Sequence, residues 1–189
     1  MTRVADGEFG KIMGQFLDAI ERVRTGGVPV ERAKQILAQF RGNLTVDLTD
    51  LTWEKAIKML KESGCEVYLH SNFDYNEHLP TLSEDQKTKT EAVLRKQKNT
   101  TTNREWLDIL DNNEEGKNKF AHPLVALALA IADPTLQEET PIFTIWYDDN
   151  SQLWYLSLGV CGGGRYLGVR RDGLGGYWID GYRAVAVAK

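Results

Sequence analysis

Hydrophobic residues recur at intervals of three and four through the first 42 residues of the chain. One run covers residues 9–23 and a second covers residues 30–40, and glycines follow both runs. This spacing places the apolar side chains on one face of each of two helices, and glycine readily closes a helix C-terminus. The pattern predicts a helical hairpin as a first unit, residues 1–42. Because two short helices bury little by themselves, residues 7–41 are also a candidate homodimer contact.

Residues 43–70 change to a pattern of strand, helix and strand. Leu44, Val46 and Leu48 alternate with polar residues, as in a half-buried strand. Thr52 is a suitable N-cap for an amphipathic helix, and a second extended run follows that helix. Two strands joined through one helix predict a β-α-β unit with parallel pairing.

Residues 71–134 begin as a polar loop and then turn helical in pattern. A capping pattern at Ser83 predicts a surface helix that ends near Lys98, and a similar pattern at Thr102 predicts another helix. The continuous apolar run at residues 124–132 is rich in leucine and alanine and poor in β-branched residues. That composition predicts a buried helix rather than a strand.

From residue 142 onward, extended runs alternate with clusters of turn residues. Five runs show this pattern, at residues 142–147, 152–159, 165–170, 177–180 and 184–188. The short gaps favour antiparallel neighbours, so residues 142–189 are predicted to form an antiparallel meander of four to five strands. The predicted fold class is α+β, with an N-terminal helical hairpin, a short β-α-β unit, a helical middle and this C-terminal meander. Residues 43–189 form the second domain in this prediction.

The composition is that of a globular protein and excludes several classes. Of the 189 residues, 42% are hydrophobic and 26% are charged, and no apolar run approaches the ~18–20 residues that a membrane span needs. The net charge of −4 argues against a nucleic-acid partner, because such proteins usually present a basic face. Two cysteines and no signal-peptide pattern predict a reduced, cytoplasmic protein without a membrane role.

Aromatic motifs stand at four places near the C-terminus. They are Phe143–Trp146, Leu153–Leu158, Tyr177–Trp178 and Tyr182–Lys189. With these motifs after a hairpin and a β-α-β pattern, the chain resembles small bacterial proteins of no assigned function that end in a Trp-containing antiparallel meander. The resemblance covers the meander and the outline of the rest, and it implies an architecture and no activity.

The meander is also the best candidate for a binding surface, because it holds 9 of the 18 aromatic residues. Trp, Tyr and Arg dominate binding hot spots, since aromatic faces stack on flat ligands and guanidinium groups grip anions. The sequence therefore predicts that a protein partner or a small anionic ligand contacts Arg165, Tyr166, Arg170, Arg171 and Trp178. The alternative is that these aromatics are core, because a one-residue shift of strand register exchanges the faces of a sheet.

A second candidate site is a metal centre formed by His70, Asp74 and His78. Imidazole and carboxylate groups are ligands that zinc and iron prefer, and a spacing of four would place them on one face of a helix. The residues between them are typical of a turn, however, and Pro80 follows closely. The sequence therefore favours a non-enzymatic binding protein that has no cofactor and no catalytic residue. The alternative is a small hydrolase that uses zinc or another divalent metal at this segment.

Overall fold

The computed structural model describes residues 43–82, 86–87, 89–96, 99–111, 118–139, 141–171, 176–179 and 181–188. The predicted helical hairpin (residues 1–42) and its candidate homodimer contact (residues 7–41) lie outside the described residues. Except for Asn43, the described residues belong to one compact unit that spans Leu44–Lys189.

Strands hold more of the described residues than helices do. The helices are α1 (Trp53–Glu62), α2 (Tyr75–His78), α3 (Asn103–Leu110), α4 (Pro123–Ala132) and α5 (Leu136–Glu139). The strands are β1 (Asn43–Asp47), β2 (Glu66–Leu69), β3 (Lys89–Lys96), β4 (Thr101–Thr102), β5 (Asn118–Phe120), β6 (Ile142–Tyr147), β7 (Leu153–Cys161), β8 (Gly164–Arg171), β9 (Tyr177–Trp178) and β10 (Arg183–Ala188).

Eight of these strands form one mixed sheet. Seven follow the order β1-β3-β10-β6-β7-β8-β2, and β5 pairs with β10 as the eighth. Strands β6, β7 and β8 are antiparallel neighbours, whereas β10 runs parallel to β6 and β2 runs parallel to β8. Strand β10 is antiparallel to both β3 and β5. The remaining strands, β4 and β9, form a separate antiparallel pair.

The sheet carries a hydrophobic cluster on each face, because successive side chains of a strand point to opposite sides. Trp154, Leu156 and Leu158 of β7 belong to the cluster that includes α1 and α4, on the side we call the helix face. Leu153 of β7 belongs to the other cluster, together with Trp106 of α3. On that second side, α3 and β9 leave an open cleft above β7, β8 and β2.

Helix α4 lies at the centre of the helix face, where it packs against α1 and β6. Its N-cap is His122, whose Nδ1 accepts a hydrogen bond from the Leu124 N–H at 3.1 Å. The other ring nitrogen, Nε2, donates to the Pro80 carbonyl at 2.8 Å. One acceptor and one donor on the same ring define a single neutral tautomer of this imidazole.

Lowering the pH from about 7.5 to about 5.5 is expected to destabilise the protein through His122. Burial lowers the pKa of His122, and the hydrogen bond to Pro80 offsets only part of that effect. Because the pKa of His122 is lower in the folded state than the unfolded value of about 6.5, the buried neutral imidazole stabilises the fold above that unfolded pKa. This stabilisation is lost as the pH falls toward the folded-state pKa. Urea unfolding of His122→Asn, which keeps a polar N-cap, should show a smaller loss over the same range. Equal losses in the two proteins would contradict this expectation.

Strand β3 replaces the surface helix that the sequence predicts between Ser83 and Lys98. Lys89–Lys96 is extended and pairs with β10, with Leu94 opposite Val185. Within this strand Ala92 is fully buried. The helix prediction is wrong because a local capping pattern was outweighed by pairing with a strand at the far end of the chain.

Strands β1 and β2 do not form the predicted parallel pair. They lie at the two ends of the strand order, and β2 pairs with β8 instead. Helix α1 between them is present, with Thr52 as its N-cap. The connection from β1 to β2 through α1 therefore spans the whole width of the sheet. A local strand-helix-strand pattern predicts the three elements but not how many strands separate the two strands in the sheet.

The predicted C-terminal meander of four to five strands is reduced to β6, β7 and β8. Strand β9 pairs with β4 outside the main sheet, and β10 inserts between β3 and β6 with a parallel partner. The predicted architecture of separate helical and meander sections is therefore wrong. The main sheet of the described residues is mixed and contains strands from β1 to β10, that is, from the beginning to the end of the described chain. Each strand pairs where its apolar faces are best covered.

Candidate functional site

Three neighbouring strands form the floor of an open cleft of about 680 Å³ on the side opposite the helix face. We call it the aromatic cleft. The strand registers arrange the floor residues in three rows that run across β7, β8 and β2. The first row is Tyr155 and Arg170, the second is Ser157, Gly168 and Tyr68, and the third is Gly159, Tyr166 and Glu66. The volume lies within the ~300–1,000 Å³ that small-molecule sites occupy.

Glycine at position 168 leaves room for the Tyr166 ring at the middle of this floor. A β-carbon there would lie 3.3 Å from Ser157 Oγ and 3.8 Å from the ring of Tyr166. In the next row, a β-carbon at Gly159 would lie 3.2 Å from the Tyr166 ring. The Tyr166 ring therefore packs close to the floor, in space that the two glycines leave.

Trp178 forms a fixed wall of the cleft. Its ring stacks on Phe143 at a centroid distance of 3.9 Å and an interplanar angle of 12°. Its Nε1 donates a hydrogen bond of 2.6 Å to Asn103 Oδ1, at the start of α3. Tyr155 meets the Trp178 ring edge-on at 5.1 Å. Contacts on several sides hold this wall in place before any ligand binds.

Two tyrosine hydroxyls meet inside the cleft. The hydroxyl oxygens of Tyr166 and Tyr182 lie 3.1 Å apart, which is hydrogen-bonding distance. Burial raises the pKa of Tyr182, and the hydrogen bond with Tyr166 raises it further. Tyr182 therefore stays a neutral hydroxyl, able to donate as well as accept a hydrogen bond.

Among the described residues, the charged side chains that line the cleft are Arg170 and Glu66. Both are exposed, and Glu66 accepts a hydrogen bond from the Tyr68 hydroxyl. Glu66 stands opposite Tyr166 in the parallel register, and Tyr166 is four residues from Arg170 along β8. At about 3.3 Å per residue, the two charges start from backbone positions about 13 Å apart.

The aromatic cleft brings together three of the five residues predicted for binding, Tyr166, Arg170 and Trp178. Tyr166 and Arg170 are two positions either side of Gly168, so strand alternation places them on the same face. Trp178 reaches the same cleft from β9, outside the main sheet.

The other two predicted residues, Arg165 and Arg171, do not line the aromatic cleft. They occupy the alternate positions of β8, together with Leu167 and Val169 of the helix-face cluster. The guanidinium of Arg165 donates a hydrogen bond to the Ser63 carbonyl at the end of α1. Arg171 is exposed at the end of its strand.

Most of the residues that line the cleft were not predicted from the sequence, among them Glu66, Tyr68, Tyr155 and Tyr182. One sequence signal could have identified Tyr155. Trp154, Leu156 and Leu158 alternate with it along β7, so strand alternation places Tyr155 on the face opposite to theirs. The positions of Glu66 and Tyr68 had no local signal, because they depend on β2 pairing with β8 across 100 positions of sequence.

The three candidate metal ligands take different roles in the structure. The His70 Nδ1 accepts a hydrogen bond from the backbone N–H of Asn72 at 3.2 Å, and Asp74 caps α2 with its carboxylate. His78 Nδ1 lies 2.8 Å from Asp148 Oδ2. Within the described ranges, no group of three or more His, Cys, Asp or Glu side chains is placed to hold a metal ion.

Asp148 is the centre of a buried hydrogen-bond network between β6 and β7. Its Oδ2 accepts from Trp154 Nε1 at 2.9 Å and contacts His78 Nδ1, and its Oδ1 accepts from the backbone N–H groups of Asn150 and Gln152 at 2.9 and 2.8 Å. Burial would raise the pKa of Asp148, but the hydrogen bonds from Gln152, Trp154, His78 and Asn150 outweigh it and hold that pKa below its usual value. The network fastens α2 to the β6–β7 turn.

Comparison with known proteins gives no family for this chain. No family model, no curated protein and no solved structure matches it. None of the described helices combines the length and the apolar composition that a bilayer crossing requires. The aromatic cleft is larger than a second described cavity of about 490 Å³, beside His122 and Trp146, and more aromatic side chains line it.

Proposed function

We propose that the protein is a non-enzymatic binding protein that takes a small, flat, anionic ligand into the aromatic cleft. The observation that carries the proposal is the guanidinium of Arg170. It is exposed at the cleft, and within the part of the chain that the structure describes it takes part in no ion pair. A guanidinium offers five N–H donors in a planar fork, which matches a carboxylate or phosphate.

Aromatic side chains beside Arg170 supply a surface for the flat part of such a ligand. Tyr155 is the direct cross-strand neighbour of Arg170, and Trp178 meets Tyr155 at 5.1 Å. Because Trp178 is already held by Phe143 and Asn103, little side-chain freedom is lost when a ring packs against it.

The concave shape supports a small ligand over a protein partner. A stable protein interface buries about 800 Å² on each partner, whereas the aromatic cleft encloses a volume suited to a small molecule. The net charge of −4 does not oppose this proposal. The attraction between a bound anion and the adjacent Arg170 guanidinium is stronger than the repulsion from carboxylates that are distant and screened by salt. A cytoplasmic location belongs to the same proposal and rests on the sequence.

Replacing Arg170 with methionine is expected to weaken the binding of anionic ligands by about tenfold or more, because a charge-assisted hydrogen-bond pair is lost. The probes are flat aromatic carboxylates and phosphates, each matched with its uncharged amide or alcohol. Affinity is measured by isothermal titration calorimetry, and the Trp178 indole N–H signal in NMR reports the place of binding.

The matched control is Arg171→Met, one position along the same strand and outside the cleft. It should bind the anionic probes as the wild type does. If no anionic probe binds the wild type, or if both variants lose affinity alike, the proposed function is wrong.

A further inference from the structure

We infer that the ligand of the aromatic cleft is a purine nucleoside monophosphate whose base carries an amino group, with the phosphate at Arg170 and the amino group at Glu66. This inference rests on the proposed function and adds the ligand's class and its orientation. It follows from two opposite charges that share one cleft without pairing with each other.

The first step is the separation of the two charges. Arg170 and Glu66 start from floor positions about 13 Å apart along the strands, and no ion pair joins them among the described residues. A ligand that satisfies both groups must therefore be elongated, with an anion at one end and a hydrogen-bond donor at the other.

The second step is the capacity that Glu66 retains as an acceptor. The Tyr68 hydroxyl donates to Oε2 of Glu66, and the described residues supply no hydrogen bond to its Oε1. An ionised carboxylate accepts up to about four hydrogen bonds and donates none, so Glu66 selects N–H or O–H groups and repels a second anion. An exocyclic amino group on a base meets that requirement.

The third step is the floor between the charges. Gly168 carries no side chain there, the Tyr166 ring packs beside it, and its row also contains the Ser157 hydroxyl and the Tyr68 ring. The Trp178 wall and the Tyr166 ring add aromatic surface. Aromatic surface of this kind stacks on a nucleobase, and neutral hydroxyls hydrogen-bond to a sugar.

The same charges exclude a polynucleotide. Among the described residues, one guanidinium lines the cleft, which suits one phosphate, and Glu66 opposes a second phosphate at the other end. A single nucleotide therefore fits the aromatic cleft, in agreement with the acidic net charge of the chain.

The experiment compares AMP with two analogues that each lack one end. Purine riboside 5′-monophosphate lacks the amino group, and adenosine lacks the phosphate. GMP and IMP provide a second pair that differs only in an amino group. Calorimetric affinities are measured for the wild type, Glu66→Ala and Arg170→Met, with Arg171→Met as the control.

The wild type is expected to bind at least one amino purine monophosphate, AMP or GMP, about tenfold or more tightly than its amino-free partner. Glu66→Ala should erase the preference for the amino group and keep the preference for phosphate. Arg170→Met should do the reverse, and Arg171→Met should keep both.

Two outcomes would overturn the inference and leave the proposed function standing. One is binding of flat aromatic anions without binding of any nucleotide. The other is binding of nucleotides that depends on Arg170 but shows no preference for the amino group, or a preference that survives in Glu66→Ala. Absence of binding by every anionic probe would overturn the inference and the proposed function together.

Discussion

Replacing Asp148 with alanine is expected to lower the free energy of unfolding by about 3–5 kcal/mol. The carboxylate is buried and accepts hydrogen bonds from Trp154 Nε1 and from the backbone N–H groups of Asn150 and Gln152, and it pairs with His78. Alanine would leave these donors without their partner inside the protein, and an unmade buried hydrogen bond costs more than a made one contributes. Urea unfolding followed by tryptophan fluorescence measures the change.

The matched control is Asp149→Ala, because Asp149 is the neighbouring aspartate and is exposed. Its unfolding free energy should stay within about 0.5 kcal/mol of the wild type. The pH profile supplies a second check. Since the pKa of Asp148 is lowered in the fold, its stabilisation is present above the unfolded pKa of about 3.9 and is lost as the pH falls through the folded value. Asp148→Asn should therefore lose less stability over that acid range, and a profile parallel to the wild type would contradict the role assigned to Asp148.

Replacing Leu156 with alanine is expected to cost about 2–5 kcal/mol of unfolding free energy. Leu156 is fully buried on β7, between Thr144 of β6 and Val169 of β8, and belongs to the helix-face cluster. Truncation removes apolar contacts and leaves a cavity that strands paired on both sides cannot close. The same urea unfolding experiment measures the loss.

Val160→Ala is the control for Leu156→Ala. Val160 stands on the same strand but is 42% exposed, so its truncation should change stability by no more than about 0.5 kcal/mol. Equal effects of the two substitutions would show that burial on the helix face does not determine the stability of this sheet.

Three of the helices that local signals predict are present in the structure, whereas α2 and α5 were not predicted. Thr52 caps α1, Thr102 and Glu105 form the predicted capping box of α3, and the Leu- and Ala-rich run forms α4. Each signal lies within a few residues of the element that it starts, so no distant part of the chain is needed to interpret it. The exception is β3, where a cap-like pattern preceded a strand.

The central residues of patterned elements were also identified from the sequence alone. The sequence patterns predict twelve core residues at the centres of these elements, and six of them are buried in the structure, namely Leu60, Leu127, Ile145, Leu156, Leu158 and Val185. Ile57 and Ile131 are partly buried and pack against the helix-face cluster. Four more residues of the same prediction, Phe16, Ile20, Ile36 and Leu37, lie outside the described residues. The periodicity of apolar residues identifies such positions because it shows which face of a helix or strand is buried.

Local patterns in the amino-acid sequence locate most of the described helices and strands, identify their apolar faces, and show that aromatic residues and arginines gather near the C-terminus. Which strands are neighbours depends on the tertiary structure. It placed β2 beside β8 and so brought Glu66 into one cleft with Arg170, and it separated Arg170 from Arg171 by strand alternation. The physical reason is that strand pairing joins residues far apart in sequence, and a change of partner or of one register position alters every side chain that shares a face.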